Sequence, residues 1–475
     1  MPEPFVALVM AAGRGTRMRS SRPKVLHPVC GRPMVEWVID AARSAGAQQV
    51  VCITRPGDGV AEGLPPGATV AEQRDGEGTG AAVLAAREAV LGAAPFAAGG
   101  VPASPASTAR TVVVLSGDHP LVATELIAEL LETHRREKAG ATLLTTEQLD
   151  PTGYGRIARS GEGTFERIVE TKHPEDVSSE LLAIREINIG AYAFDAADLF
   201  DALERVGEQR GERFLTGVFP LLAQSRRPVV THRTDDVRSA YGVNSRADLM
   251  QAERLAQRQI LDEHAVAGVS FLAPDSTRVE VGVQIGPDTT IGPGVTLRGA
   301  TRIGAGCELG PQTTITDSTL GDGVSAVHSF LLEATVEDGA TLGPFAYLRP
   351  GASIGPGAKV GTFVEVKNSR IGAGTKVPHL SYIGDADVGE GSNIGAGNIT
   401  ANYDGARKHR TTIGDGVRTS VDTSFVAPVS VGDGAYTGAG SVITDDVPEG
   451  ALGIARSRQR NVEGYARRRK AEPPE

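Results

Sequence analysis

The sequence predicts two domains in 475 residues, an α/β domain followed by a parallel β-helix of hexapeptide repeats. Two observations carry that reading. Val279, Ile285, Ile291, Leu297, Ile303, Leu309 and Ile315 fall six residues apart, and glycine follows most of them. A period of six fits neither a helical stripe nor a long alternating strand. It fits a solenoid in which each hexad forms one short flat face and its aliphatic residue points into the core. The beat returns at Leu342, Leu348, Ile354, Val360 and Val366, then at Ile413, Thr419, Phe425, Val431, Thr437 and Ile443. The second observation is that the residues before the repeats alternate short apolar runs with helical patterns, as a sheet covered by helices requires.

Within residues 1–246, Phe5 to Met10 reads as a buried strand, and a glycine-rich turn follows it. Val35 to Ala45 has a helical pattern, Val50 to Thr54 is a second strand, and Thr111 to Leu115 is a third, ending in Ser116-Gly117-Asp118. Strands separated by helices predict a parallel sheet. Ligands of such sheets sit beyond the carboxyl ends of the strands, where Gly13 to Arg17 and Asp118 both fall. Residues 93–109, rich in Ala, Gly, Pro and Ser, read as a surface insertion. Residues 247–267 form a linker, with a helix from Ala247 to His264 carrying Leu249, Leu255, Ile260 and Leu261 among charges. The β-helix domain occupies 268–475, its repeats running to about Ala455. Asn402 to Arg410 interrupts the hexads with a polar segment holding three basic residues. An insertion leaving a solenoid face is a usual place for a binding site, because the repeat itself has little room for chemistry.

Composition narrows the function. A net charge of −10 argues against nucleic acid or an anionic membrane surface as the partner, so an anionic substrate would need a few locally placed cations. Cys30, Cys52 and Cys307 are scattered and form no CxxC, which excludes a zinc-ribbon pattern and points to a reducing, cytoplasmic setting. No stretch approaches the length of a membrane span, and the closing Arg467-Arg468-Arg469-Lys470 run reads as a solvated tail.

Chemistry enters at Ala11-Ala12-Gly13-Arg14-Gly15-Thr16-Arg17-Met18, with Pro23-Lys24 shortly after. Small residues let backbone N–H groups approach phosphate oxygens, and Arg17 and Lys24 can neutralise them. The spacing is neither the dinucleotide GxGxxG nor the GxxxxGK[ST] phosphate loop. The segment V-M-A-A-G-R-G-T-R-M…R-P-K resembles the signature of sugar-1-phosphate nucleotidyltransferases, and S-G-D-H-P-L resembles their metal-binding turn. With Pro151 to Ile157, Leu348-Arg349-Pro350-Gly351 and Asn402-Tyr403-Asp404-Gly405, the whole chain resembles one bacterial family. Its members are bifunctional N-acetylglucosamine-1-phosphate uridylyltransferases and glucosamine-1-phosphate N-acetyltransferases.

That resemblance implies a Rossmann-like α/β nucleotidyltransferase domain followed by a left-handed parallel β-helix, assembled as a homotrimer. It implies that Met10, Ala11, Ala12, Gly13, Gln73, Gly78 and Thr79 hold the uridine nucleotide, with Ser116 and Gly117 beside them. Gly155, Glu170 and Asn188 would contact the sugar. Asp118 and Asn244 would bind Mg2+, and Arg17 and Lys24 would neutralise phosphate charge during uridylyl transfer from UTP. Two segments depart from the family pattern: Ala81-Ala82 stands after Thr79-Gly80, and Glu212 to Gly217 lacks the usual closing Asp.

In the β-helix the resemblance makes His379 the general base of acetyl transfer from acetyl-CoA to glucosamine-1-phosphate. A histidine has a pKa near working pH. Arg349 and Lys367 would grip the sugar phosphate, and Tyr382 and Asn393 its hydroxyls. Ala396, Asn402, Tyr403, Val421, Ala439 and Arg456 would lie along the coenzyme. Val421 stands where the family has a serine and Arg418 where it has an aromatic. Ser420 is not expected to substitute, since adjacent strand residues face opposite ways. A single-function nucleotidyltransferase whose β-helix only oligomerises is the alternative, and Val421 favours it. The bifunctional reading would supply UDP-N-acetylglucosamine for peptidoglycan and other envelope polysaccharides.

Overall fold

The computed structural model describes residues 4–92, 111–171, 173–224 and 227–471. The whole 93–109 segment singled out above lies outside the described residues. The chain divides into two compact units, Met1–Arg258 and Gln259–Glu475.

The first unit is built on a mixed sheet. Its strands are β1 (Phe5–Met10), β2 (Ala47–Thr54), β3 (Thr69–Glu72), β4 (Thr111–Ser116), β5 (Ala141–Thr146), β6 (Arg156–Arg159), β7 (Phe165–Val169), β8 (Ile187–Asp195) and β9 (Val229–Arg233). They lie in the order β9-β5-β8-β4-β1-β2-β3, with the β6–β7 hairpin attached to β8. The three strands legible in the sequence, β1, β2 and β4, are parallel to one another. The sheet as a whole is not parallel: β8 runs antiparallel to both β4 and β5. Strand direction depends on which elements the chain has crossed, and an apolar run carries no mark of it.

Alternate residues of the central strands feed two cores. Val6, Leu8, Val112 and Val114 pack on one side with Phe200 and Phe219. Phe5, Ala7, Val9, Val113 and Leu115 pack on the other with Val38 and Ile127. The second group meets helices α1 (Met34–Ser44) and, after the short helix α2 (Thr79–Ala85), α3 (Thr124–Arg136). Burial on both faces explains why these strands read as unbroken apolar runs.

The second unit is a parallel β-helix with three faces. Seven strands from Ser270–Phe271 to Lys376–His379 form the first, ten from Arg278–Val279 to Val442–Ile443 the second, and nine from Gln284–Ile285 to Val429–Val431 the third. Every hexad residue named from the sequence is buried except Ile285, which stands in the first coil of its face with a neighbouring strand on one side only. Glycine follows the inward residue because coils stack closely there: a Cβ at Gly304 would meet the Gly321 carbonyl at 2.5 Å. The silent stretch between the first two runs is β-helix too. Leu320, Ala326, Leu331 and Val336 continue the core, but some of these faces are one residue short, so Thr314 pairs with Phe330 only 16 residues on.

A helix from Arg246 to Val266, α4, contains the boundary between the units. The basic run near the end lies in a short helix, Tyr465–Ala471, exposed through Arg469. Among the described residues no helix is long and apolar enough to cross a membrane.

Candidate functional sites

In the first unit, β1 and β4 end side by side, and Gly117 donates its backbone N–H to the Met10 carbonyl at 3.0 Å. The glycine-rich turn and Asp118 therefore emerge together at the carboxyl edge of the sheet. Lys24 donates to Asp118 Oδ2, and His119 Nδ1 lies 3.0 Å from Oδ1. Arg17 donates to Asn244 Oδ1 at 2.8 Å, and Lys24 Nζ reaches the same oxygen at 3.3 Å. Asn244 is fixed by a reciprocal cap at the start of α4. Asp248 Oδ2 accepts from the Asn244 and Ser245 amides at 3.0 and 2.7 Å, and the Asp248 amide donates back to Ser245 Oγ. Burial by itself would raise the Asp118 carboxyl, but the Lys24 ammonium and His119 outweigh it and hold it well below the usual carboxylate range.

The structure brings Met10, Arg17, Thr79, Ser116, Gly155, Glu170, Asn188 and Asn244 around one cleft of about 500 Å³. Glu170 accepts from Thr216 Oγ1 at 2.7 Å, and Asn188 Nδ2 donates to the Tyr192 hydroxyl at 2.6 Å. Ala11 and Ala12 are buried behind the turn, while Gly13 is exposed on it. Gln73 is buried and its amide donates to the Gly76 carbonyl at 3.0 Å, shaping the loop that leads to Gly78. Gly78 has φ 94°, a backbone open to glycine, and a Cβ there would meet the Arg213 carbonyl at 2.4 Å. The close approach locks two loops together: Arg213 N–H donates to Glu77 O and Gly80 N–H to Arg213 O, both at 2.8 Å.

Glu77 was invisible to sequence reasoning. It pairs with Arg14 of the glycine-rich turn and with Arg55 after β2, each at 2.6 Å, and these guanidinium groups lower its pKa, Arg55 foremost. No local pattern marks it, since its partners come from two other loops.

The predicted metal ligands fit a hard cation. Asp118 and Asn244 offer a carboxylate and an amide oxygen, and one ammonium, Lys24 Nζ, touches both, so the two oxygens face a common point. Water and substrate phosphate oxygens would complete such a shell. Among the described residues no cluster of three or more His, Cys, Asp or Glu gathers as a metal site.

In the β-helix, Arg349 pairs with Glu365 at 2.8 Å, and Lys367 Nζ donates to Asp385 Oδ2 at 3.1 Å. Asn402, at the start of the inserted loop, donates to the same Asp385 oxygen and lies 3.4 Å from the Tyr382 hydroxyl. Tyr382 and Glu365 are register neighbours on the second face. Lys408, further along the loop, comes against Lys367, which with Arg349 lowers its pKa. Three cations thus gather at one place, as an anion site needs. Sequence reasoning named Arg349 and Lys367 but missed Lys408, Glu365 and Asp385. The three basic residues of the loop were the available signal for Lys408.

His379 ends a first-face strand, is exposed, and pairs in register with Thr362. Asn393 lies on the continuation of that face, bridged to Lys376 and Arg418. Ala396, Val421 and Ala439 follow one another through adjacent coils: Asp422 N–H donates to Ala396 O at 2.8 Å and Gly440 N–H to Val421 O at 3.0 Å. Tyr403 is exposed on the inserted loop, and Arg456 is exposed after the last strand pair. Val421 does not sit in a strand. It forms the corner with Asp422, which has φ 55°, so strand alternation is not what separates it from Ser420. The Ser420 carbonyl accepts from buried Asn398 at 2.8 Å, which anchors that residue instead. Arg418 Nη1 donates to the Gly391 carbonyl at 2.7 Å, one coil away.

Residues 7–231 match the MobA-like NTP transferase domain, and residues 282–317 match the bacterial transferase hexapeptide family. Among curated relatives, the bifunctional protein GlmU of Mycolicibacterium smegmatis is 46% identical over 98% of this chain and 95% of its own. The GlmU protein of Kineococcus radiotolerans is 45% identical over 97% and 92%, and that of Mycobacterium bovis 44% identical over 100% and 94%.

Proposed function

Because the chain belongs to the GlmU family of bifunctional proteins, we propose that its two sites run consecutive steps of UDP-N-acetylglucosamine synthesis. The protein is a two-activity transferase. The β-helix acetylates glucosamine-1-phosphate from acetyl-CoA, and the first unit then joins N-acetylglucosamine-1-phosphate to the uridylyl group of UTP, releasing pyrophosphate. The observation that carries the reading is the convergence of Lys24, Arg17, Asp118 and Asn244 at the carboxyl edge of the sheet. Opposed charges gathered at the rim of a cleft suit a reaction between two anions.

In the first site the sugar phosphate oxygen attacks the α-phosphorus in line with the departing pyrophosphate. No protein nucleophile is required; Arg17 and Lys24 neutralise developing charge, and Glu170 and Asn188 orient the sugar. Mg2+, held by Asp118 and Asn244, would supply further neutralisation of phosphate charge. In the second site His379 takes the proton from the 2-amine as its nitrogen attacks the thioester carbonyl, and the coenzyme leaves as thiol. Arg349, Lys367 and Lys408 hold the phosphate. The column Ala396, Val421 and Ala439 offers small, exposed or half-exposed surface for the coenzyme, with Asn402 and Tyr403 at its side. The hexapeptide repeats suggest an oligomer, and a homotrimer is the form proposed. A cytoplasmic location accords with three scattered cysteines that form no CxxC.

The test is thiol release from acetyl-CoA with glucosamine-1-phosphate, alongside pyrophosphate release from UTP. Wild type is expected to give both, and His379→Ala to abolish only the first. A folded wild type that releases no thiol would leave the second assignment without support.

A further inference from the structure

We infer that Asp385 is a positioning residue of the acetyl-transfer site, clasping the inserted loop and aiming Lys367 at the substrate phosphate. The inference rests on the reading of that site given above.

Asp385 stands at the corner between the second and third faces, with φ 48°. Only 4% of it is exposed. Its carboxylate accepts from three side chains on two segments: the neighbours Asn368, through Nδ2 at 2.6 Å, and Lys367, through Nζ at 3.1 Å, and, from the inserted loop, Asn402 Nδ2. Its carbonyl accepts from Thr411 N–H at 3.2 Å. Asn402 opens the inserted loop and Thr411 follows it, so one residue holds both ends of the insertion.

The same fold provides its own comparison. Asp317 occupies the equivalent corner four coils earlier, with φ 47° and with its backbone N–H donating to Arg298 O as that of Asp385 donates to Lys367 O. The Asp317 carboxylate caps a backbone group, the Ala300 N–H at 2.8 Å. At this corner a carboxylate can thus serve the backbone of the neighbouring coil. The Asp385 carboxylate instead turns its oxygens to side chains, among them Lys367 and Asn402 of the acetyl-transfer site. A buried carboxylate facing an ammonium and two amides fixes their direction, since each donor loses its partner if it turns away.

The experiment compares wild type, Asp385→Asn, Lys367→Met and the double variant as full-length proteins. Asparagine keeps the shape and tolerates the left-handed backbone, but it removes the charge and turns one acceptor into a donor. Pyrophosphate release and the thermal midpoint check that the protein is intact. Asp385→Asn is expected to raise KM about tenfold for both glucosamine-1-phosphate and acetyl-CoA, more than it lowers kcat. Lys367→Met should raise only the sugar-phosphate KM, and adding Asp385→Asn to it should raise that KM little further. Amide exchange at Ala406, Arg407 and His409 should quicken in Asp385→Asn. If both KM values and the loop amides match wild type, the positioning role is wrong. If the two substitutions multiply fully in the sugar-phosphate KM, Asp385 does not act through Lys367. A wild type with no thiol release would instead remove the premise, and the proposal with it. Should Asp385→Asn misfold, Asn402→Ala must reproduce the acetyl-CoA effect and the faster loop exchange, or the clasp is refuted.

Discussion

The Lys24 ammonium lies on the Asp118 carboxylate, 94 residues away in sequence, with 11% and 20% of their side chains exposed. Depression of the Asp118 pKa keeps this pair ionised through the range where ordinary carboxylates titrate. Its contribution to stability is present above that range and is lost only as pH falls through the lowered value. Asp118→Asn is expected to cut uridylyl transfer by about 100- to 1000-fold, through misplaced phosphate-neutralising charge, and to leave acetyl transfer unchanged. Because the two residues act as a unit, Lys24→Ala should add little to Asp118→Asn. Pyrophosphate and thiol release measured on the same preparations would decide it; equal loss of both activities would point to a folding defect.

Gly78 answers to both backbone and space. Its positive φ disfavours a side chain, and a Cβ would lie 2.4 Å from a backbone oxygen of Arg213 that cannot swing aside. Gly78→Ala should therefore displace Glu77 to Leu215 contacts, cost about 1–3 kcal/mol, and lower kcat/KM for UTP. Thiol release is the internal control. A variant with wild-type kcat/KM for UTP would show that the approach of these loops is not needed for nucleotide binding.

His134 sets a pH dependence far from the chemistry. It is buried on α3, its Nδ1 lies 2.9 Å from Thr142 Oγ1, and burial lowers its pKa from 6.5 to about 4. Above 6.5 the ring is neutral in folded and unfolded chains alike. Between 6.5 and 4 the unfolded chain takes up a proton that the folded chain refuses, so stability falls as pH falls, by on the order of 3 kcal/mol in total. Trp37 is the one tryptophan and lies in the first unit, so its fluorescence follows urea unfolding of that unit. His134→Gln should lose less stability than wild type between pH 7 and 4. Parallel slopes would mean that another group governs the window.

Much of the β-helix was legible because its rule is local. A coil repeats its inward residue at a fixed interval, so Val279 to Ile315 announce the architecture without reference to distant partners. Legibility failed where a face lost a residue, between Ile315 and Leu342, although the same kinds of side chain fill the core there. The first unit divides similarly. The strands β1, β2 and β4 are apolar runs that any buried strand must be, whereas the reversal of β8 lies in the path of the chain.

The motifs carrying Arg17, Lys24, Asp118, Lys367 and His379 were set by the order of residues alone. The tertiary structure decided what those residues meet. Glu77 joins Arg14 to Arg55, Lys408 comes against Lys367, and Asp385 gathers Asn368, Lys367 and Asn402. A hydrogen bond or an ion pair depends on a few ångströms of separation, and coils of a solenoid or neighbouring loops of a sheet supply that between residues far apart in the chain. Periodicity can reveal that coils stack, but only the folded backbone determines which side chains then face one another.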